Sequence, residues 1–137
     1  MRRFFLLLTL AWGLLAQDTT VVLVRHAEKA STAPDAELSD VGRQRAERLA
    51  ELLAPRKPLR LVATEYARTQ QTLAPLAHRL GLKIQVERRR PEAALAQELL
   101  QACAGGTVVV CTHSNLVGPW VKALGLPWSR GDAEGYD

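Results

Sequence analysis

The sequence predicts an α/β domain, a three-layer αβα sandwich around a mostly parallel central sheet of about four strands. Three observations carry that expectation. Four short apolar runs of β-type residues recur along the chain: "TVVLV" (20–24), "LRLVA" (59–63), "KIQVE" (83–87) and "TVVVC" (107–111). Helical patterns separate them, and a strand–helix–strand alternation folds as parallel strands joined by crossover helices. The Val-rich runs are apolar almost throughout, as strands covered on both faces are.

The first 16 residues, "MRRFFLLLTLAWGLLA", precede this array. Arg2 and Arg3 open them, an apolar run from Phe4 to Leu15 follows, and Ala16 stands before polar "QDTT". That order is the anatomy of a secretory signal peptide. The apolar run falls short of the roughly 20 residues that a membrane-spanning helix needs. Cleavage after Ala16 is expected, leaving residues 17–137 as one exported domain, periplasmic or extracellular, without stable insertion in the membrane. The alternative is an uncleaved amphiphilic anchor.

The first strand leads through "RHAEK" to "SDVGRQRAERLAELLA". There Ser39 and Asp40 cap a helix whose apolar residues recur at Val41, Ala46, Leu49, Leu52 and Leu53. "APRKP" (54–58) is the sharpest break in the chain and reads as a surface loop. After the second strand, "RTQQTLAPLAHRLG" stops at Gly81, with Pro75 set to kink the helix or tighten its turn. "PEAALAQELLQACAGG" places Pro91 at the first helical position and glycines past the end. "NLVGPWVKALG" is shorter and again stops at glycine.

The chain has 137 residues, 47% hydrophobic and 23% charged, which suits one globular domain with its own core. Its formal net charge is +4. Loss of Arg2 and Arg3 from the 18 basic residues leaves 16 against 14 acidic, too small an excess to argue for nucleic acid as a partner. Cys103 and Cys111 have no metal-type spacing. Cys103 ends a helical pattern and Cys111 lies about four residues into the next strand, more than ~10 Å away, so no disulfide is expected.

Ligands of parallel α/β sheets bind beyond the carboxyl ends of the strands. Arg25 and His26 follow the first run, Arg68 opens the helix after the second, and His113 follows the fourth. Two arginines and two histidines therefore converge on one rim. Guanidinium forks match phosphoryl oxygens, and a helix start adds backbone N–H donors and a positive dipole end. A neutral imidazole among these cations can attack phosphorus and carry the group covalently, while the cations neutralise the charge on its oxygens. Such chemistry requires no metal or other cofactor, and no Asp-rich metal cage is visible. His78, late in its helix where the dipole favours a cation, is assigned no function.

"LVRHAEK", "LSDVGRQRAERLAELL", "ATEYARTQQTLAPLAHRLGL" and "VVVCTHSN" resemble, in order, the motifs of the histidine phosphatase superfamily, also called phosphoglycerate-mutase-like. The resemblance spans roughly residues 20–137. It implies a metal-independent phosphomonoesterase acting on a small phosphorylated substrate. His26 would be the phosphorylated nucleophile, and Arg25, Arg68 and His113 the rest of the phosphate pocket. Thr64, Gln71 and Thr72 match the pattern around the second arginine; Ser39 and Gly42 match a structural turn into the first helix. The family's general acid commonly lies between the second arginine and the second histidine. Glu92 is the best-placed residue, with Glu87 and Glu28 as rivals. The basic "ERRR" (87–90) reads as a solvated turn in preference to a contact for an anionic substrate tail. Family members usually carry a further strand after a "YD"-type ending, and the chain stops at Tyr136-Asp137, so the usual final edge strand is expected to be missing. Alternatives to the phosphatase are a phosphoglycerate mutase-type phosphotransferase and a non-catalytic domain that binds a phosphorylated ligand.

Overall fold

In chain order the elements are β1 (Thr20–Arg25), α1 (Asp40–Leu53), β2 (Arg60–Thr64), α2 (Ala67–Leu80), β3 (Ile84–Glu87), α3 (Glu92–Ala102), β4 (Thr107–Thr112) and α4 (Ser114–Ala123). They are those of a computed structural model that describes residues 17–127; the expected signal peptide lies outside the described residues. The four strands form one sheet in the order β1-β4-β2-β3, and every pairing is parallel. The expected α/β architecture is therefore present.

Right-handed crossovers decide which helix covers which face. The steps from β1 to β2 and from β2 to β3 run the same way across the sheet, so α1 and α2 share a face. There Ala50, Leu53, Leu73 and Leu76 pack on Leu61, Ala63, Val109 and Cys111. The step from β3 back to β4 reverses direction, which puts α3 on the other face with α4. Leu95, Leu99 and Trp120 pack there on Val62, Val108 and Val110. Successive β4 residues thus point into two different cores, and that is why its sequence is apolar without alternation. β1 departs from the expectation of burial on both faces. Among the described residues it is an edge strand, and Val21 to Val24 are only half-buried.

The reversal also builds the site. Because β4 inserts between β1 and β2, the carboxyl ends of these three strands lie side by side, with Arg25 opposite Thr112 and Ala63 opposite Cys111. The His26 N–H donates to Thr112 O at 3.1 Å, which extends the β1–β4 ladder into the following loop.

Helix ends follow the sequence closely. Ser39 caps α1, its hydroxyl accepting from Gly42 N at 3.1 Å. Gly81 ends α2 in the left-handed region (φ 64), its N–H bonded to the carbonyls of Ala77 and His78. Pro75 lies inside α2, which remains one helix. Pro91 sits one place earlier than expected, as the N-cap of α3 (φ −58, ψ 134); its carbonyl accepts the first helical bond, from Leu95 N. The start of "APRKP" continues α1 as a 3-10 turn, Ala54–Arg56, before Lys57 reverses the chain at φ 47. Both cysteines are buried free thiols.

Candidate active site

His26 follows β1 directly and is half-buried. Its Nδ1 lies 2.8 Å from Ala27 O. A carbonyl only accepts, so Nδ1 carries the proton and Nε2 holds the lone pair of the neutral ring. Burial pushes the His26 pKa below 6.5, and the charges of Arg68, Arg25 and Lys29 push the same way. Desolvation, more than the cations expected from the sequence, is thus the largest cause. The loop is pinned from below: the buried Ala27 N–H donates to Thr72 Oγ1 at 2.9 Å, and Thr72 Oγ1 donates to Arg68 O at 2.7 Å. The same hydroxyl of α2 therefore fixes both the His26 turn and the helix turn that carries Arg68.

His113 follows β4 and is the N-cap residue of α4. Arg68 Nη2 lies 3.4 Å from its Nδ1, and Thr64 Oγ1 lies 3.1 Å from its Nε2. The guanidinium only donates, so Nδ1 accepts and Nε2–H donates to Thr64. Thr64 Oγ1 pairs in turn with Thr69 Oγ1 at 2.9 Å. Burial, then Arg68 and His26, lower the His113 pKa to about 4. The two imidazoles stand edge to face, with centroids 5.4 Å apart.

Arg68 spans the gap between the loop after β1 and the end of β4. Its Nη1 donates to Pro34 O at 2.8 Å, and its guanidinium carbon lies 4.4 Å from the centre of the Tyr66 ring. Tyr66 meets His113 with planes at 89° and centroids 5.2 Å apart. Arg25, the last residue of β1, is exposed and acts on His26 through its charge. Among the described residues, two buried side-chain polar atoms lack a hydrogen-bond partner: Arg68 Nε and Thr112 Oγ1. Both sit at this rim, where an anion's oxygens would find an unused donor. The helix start expected in the trap is only partly available at α2, whose Ala67 N–H donates to Asp35 Oδ1 at 2.7 Å. The start of α4, behind His113, has no side-chain cap.

The three carboxylates considered as the acid are separated by their surroundings. Glu28 is ion-paired to Arg45 of α1. Glu87 accepts from Gln85 at 2.6 Å and lies 3.4 Å from Arg90. Glu92, at the first position of α3, has no hydrogen bond or salt bridge among the described residues. It lines a cleft of 190 Å³ with His113, Tyr66, Glu65, Arg89 and Trp120. Glu87 lines the same cleft. A larger groove of 470 Å³, lined by His78, Arg79, Glu47 and Arg43, runs between α1 and α2. It contains none of the strand-end histidines or arginines.

Ser39 and Gly42 are structural as expected. A Cβ at Gly42 would stand 2.3 Å from Glu28 O, so this close helix–loop contact admits only glycine. Gln71 ties α2 to the same loop, its Oε1 accepting from Leu38 N at 2.8 Å. Sequence reading missed Tyr66, Glu65 and Asp35. Tyr66 alone carried a usable signal, an aromatic residue between Thr64 and Arg68 at the entry to a helix.

The model of the histidine phosphatase superfamily (branch 1) matches residues 21–95. A glucosyl-3-phosphoglycerate phosphatase of Mycolicibacterium vanbaalenii is 33% identical over 82 residues, covering 55% of this chain and 36% of its own length. One from Mycobacterium tuberculosis is 39% identical over 61 residues, covering 44% of this chain and 27% of its own. The chain thus spans about a third of the length of these curated relatives. The native structure of a mycobacterial glucosyl-3-phosphoglycerate phosphatase superposes with a TM-score of 0.69 at 22% identity, over 78% of this chain and 80% of that one.

Proposed function

Because the chain belongs to the histidine phosphatase superfamily, we propose that it hydrolyses phosphomonoesters through a phosphohistidine on His26. The observation that carries this reading is the Nδ1 contact of His26 with Ala27 O, which leaves Nε2 as the nucleophilic atom. Burial and three nearby cations keep the ring unprotonated at neutral pH.

In the first half-reaction the Nε2 lone pair forms a bond to phosphorus and the P–O ester bond breaks. Glu92, in its protonated form, gives its proton to the leaving oxygen. In the second half, Glu92 as carboxylate takes a proton from water. The water oxygen attacks phosphorus, the P–N bond breaks, and inorganic phosphate leaves with His26 regenerated. Arg25 and Arg68 neutralise the oxygens that gather charge. His113 joins them once a phosphoryl group displaces the long Arg68 contact from its Nδ1 and that nitrogen takes a proton, which the anion's charge favours. No step calls for a metal. The leader-like first 16 residues support export of the domain ahead of the reaction.

The deciding experiment is mass spectrometry of the protein quenched after mixing with p-nitrophenyl phosphate in EDTA. A phosphate adduct on His26, together with metal-free turnover, is the expected result. Micromolar phosphate binding with no turnover on any monoester would replace the enzyme with a binding domain. Phosphate transfer to a second hydroxyl faster than hydrolysis would replace it with a mutase.

A further inference from the structure

We propose that Tyr66 is a positioning residue of this site, its ring holding the Arg68 guanidinium and the His113 imidazole in their working places. The inference rests on the reading of the rim as a phosphate site and names a residue that the reading does not use.

Tyr66 contributes its backbone as the N-cap of α2, and no side-chain cap bond is made there. Tyr66 is 36% exposed and is no part of either hydrophobic core. Its contacts instead go to the two groups that would meet the phosphate. The Arg68 guanidinium carbon lies 4.4 Å from the ring centre, and His113 meets the ring at 5.2 Å with planes at 89°. A cation over a ring face and an edge-to-face aromatic pair are both attractive.

Arg68 needs such a brace. It starts from the first turn of a helix, its side chain is long, and Pro34 O and His113 Nδ1 are its only hydrogen-bond partners among the described residues. The phenol oxygen makes no hydrogen bond among the described residues, so the ring is the working part.

Tyr66 also shields His113. The other groups facing that imidazole are Arg68 from α2, His26 and Lys29 from the loop after β1, and Glu65 and Thr64 from the end of β2. Three of these bear or can take positive charge, Glu65 opposes them, and burial outweighs each. Removing the ring admits water where burial matters most.

The test compares Tyr66→Phe and Tyr66→Leu. Tyr66→Phe should stay within about twofold of wild type in kcat/KM for p-nitrophenyl phosphate. Tyr66→Leu should lose about tenfold, and should weaken inhibition by vanadate and binding of inorganic phosphate to a similar degree. In Tyr66→Leu the His113 ring signals, followed by NMR against pH, should titrate well above their wild-type midpoint. The wild-type protein should show a nuclear Overhauser contact between the Tyr66 and His113 rings. A fully active Tyr66→Leu with unchanged His113 titration would overturn the proposal. So would Tyr66→Phe as damaged as Tyr66→Leu, or no ring contact in the wild type. If the wild type hydrolyses no monoester, the phosphatase reading fails, while phosphate binding, the titration and the ring contact still decide the role of Tyr66.

Discussion

His26 and His113 lie 87 positions apart in sequence, yet their rings meet edge to face with centroids 5.4 Å apart and planes at 62°. Neither is protonated at neutral pH in this arrangement, because burial lowers both pKa values below 6.5. If His26 is the nucleophile, the acid limb of p-nitrophenyl phosphate turnover, where the ring takes a proton, is centred below pH 6.5. An acid limb centred above 6.5 would contradict this. His26→Ala should lose activity by roughly a thousandfold or more.

The same shift sets a pH dependence of stability. His113 has a folded pKa of about 4 against 6.5 for an unperturbed ring. Between these values the unfolded chain binds a proton that the folded protein does not, so stability is lost as pH falls through that window. The ring is only half-buried, and solvent screening reduces the effect to about 1 kcal/mol. Thermal melts of wild type and His113→Gln between pH 7 and pH 4 should diverge, the wild type losing more. Parallel curves would show that His113 does not carry the linkage.

Thr72 binds the His26 turn to α2 through the buried Ala27 N–H. Thr72→Val keeps the shape and strands that donor, which should cost about 1–3 kcal/mol. It should also lower kcat by loosening the His26 loop, while Thr72→Ser keeps most of both. Chemical denaturation and steady-state kinetics on the three proteins check this.

Gly42→Ala would drive a Cβ to 2.3 Å from Glu28 O and 3.0 Å from Glu28 N. The obstacle is backbone, so the loop itself must move. A loss of about 2–3 kcal/mol is expected in denaturant unfolding. A change under 0.5 kcal/mol would mean the α1 entry can shift freely.

Glu92→Gln should separate leaving groups. In kcat/KM, which reports phosphoryl transfer to His26 and not the later hydrolysis, an alkyl phosphate needs the proton and should slow by about a hundredfold or more, whereas p-nitrophenolate leaves unaided and should slow far less. Glu28→Gln, which loses only the surface pair with Arg45, should match wild type on both. Equal falls in kcat/KM for both substrates in Glu92→Gln would remove Glu92 from the acid's role.

Much of this molecule was legible in the sequence because its signals are local. The strand runs, the Ser39 cap, the Gly81 stop and the residues after β1 and β4 each follow from a few neighbouring side chains. So did the expectation that Arg25, His26, Arg68 and His113 reach one rim, since each follows or ends a strand in a parallel array. Other features depended on contacts across the chain. The pairing of Glu28 with Arg45, 17 positions on, is one such contact. Asp35 occupies the start of α2 from 32 positions away, and Tyr66 gains its meaning from the two side chains it touches.

The sequence by itself determined which residues stand at strand ends, because local propensity and period place them there. Only the tertiary structure decided which ends are neighbours. The chain returns β4 between β1 and β2, and that insertion brings the two imidazoles together, buries them enough to keep them neutral, and leaves Arg68 Nε without a partner beside them.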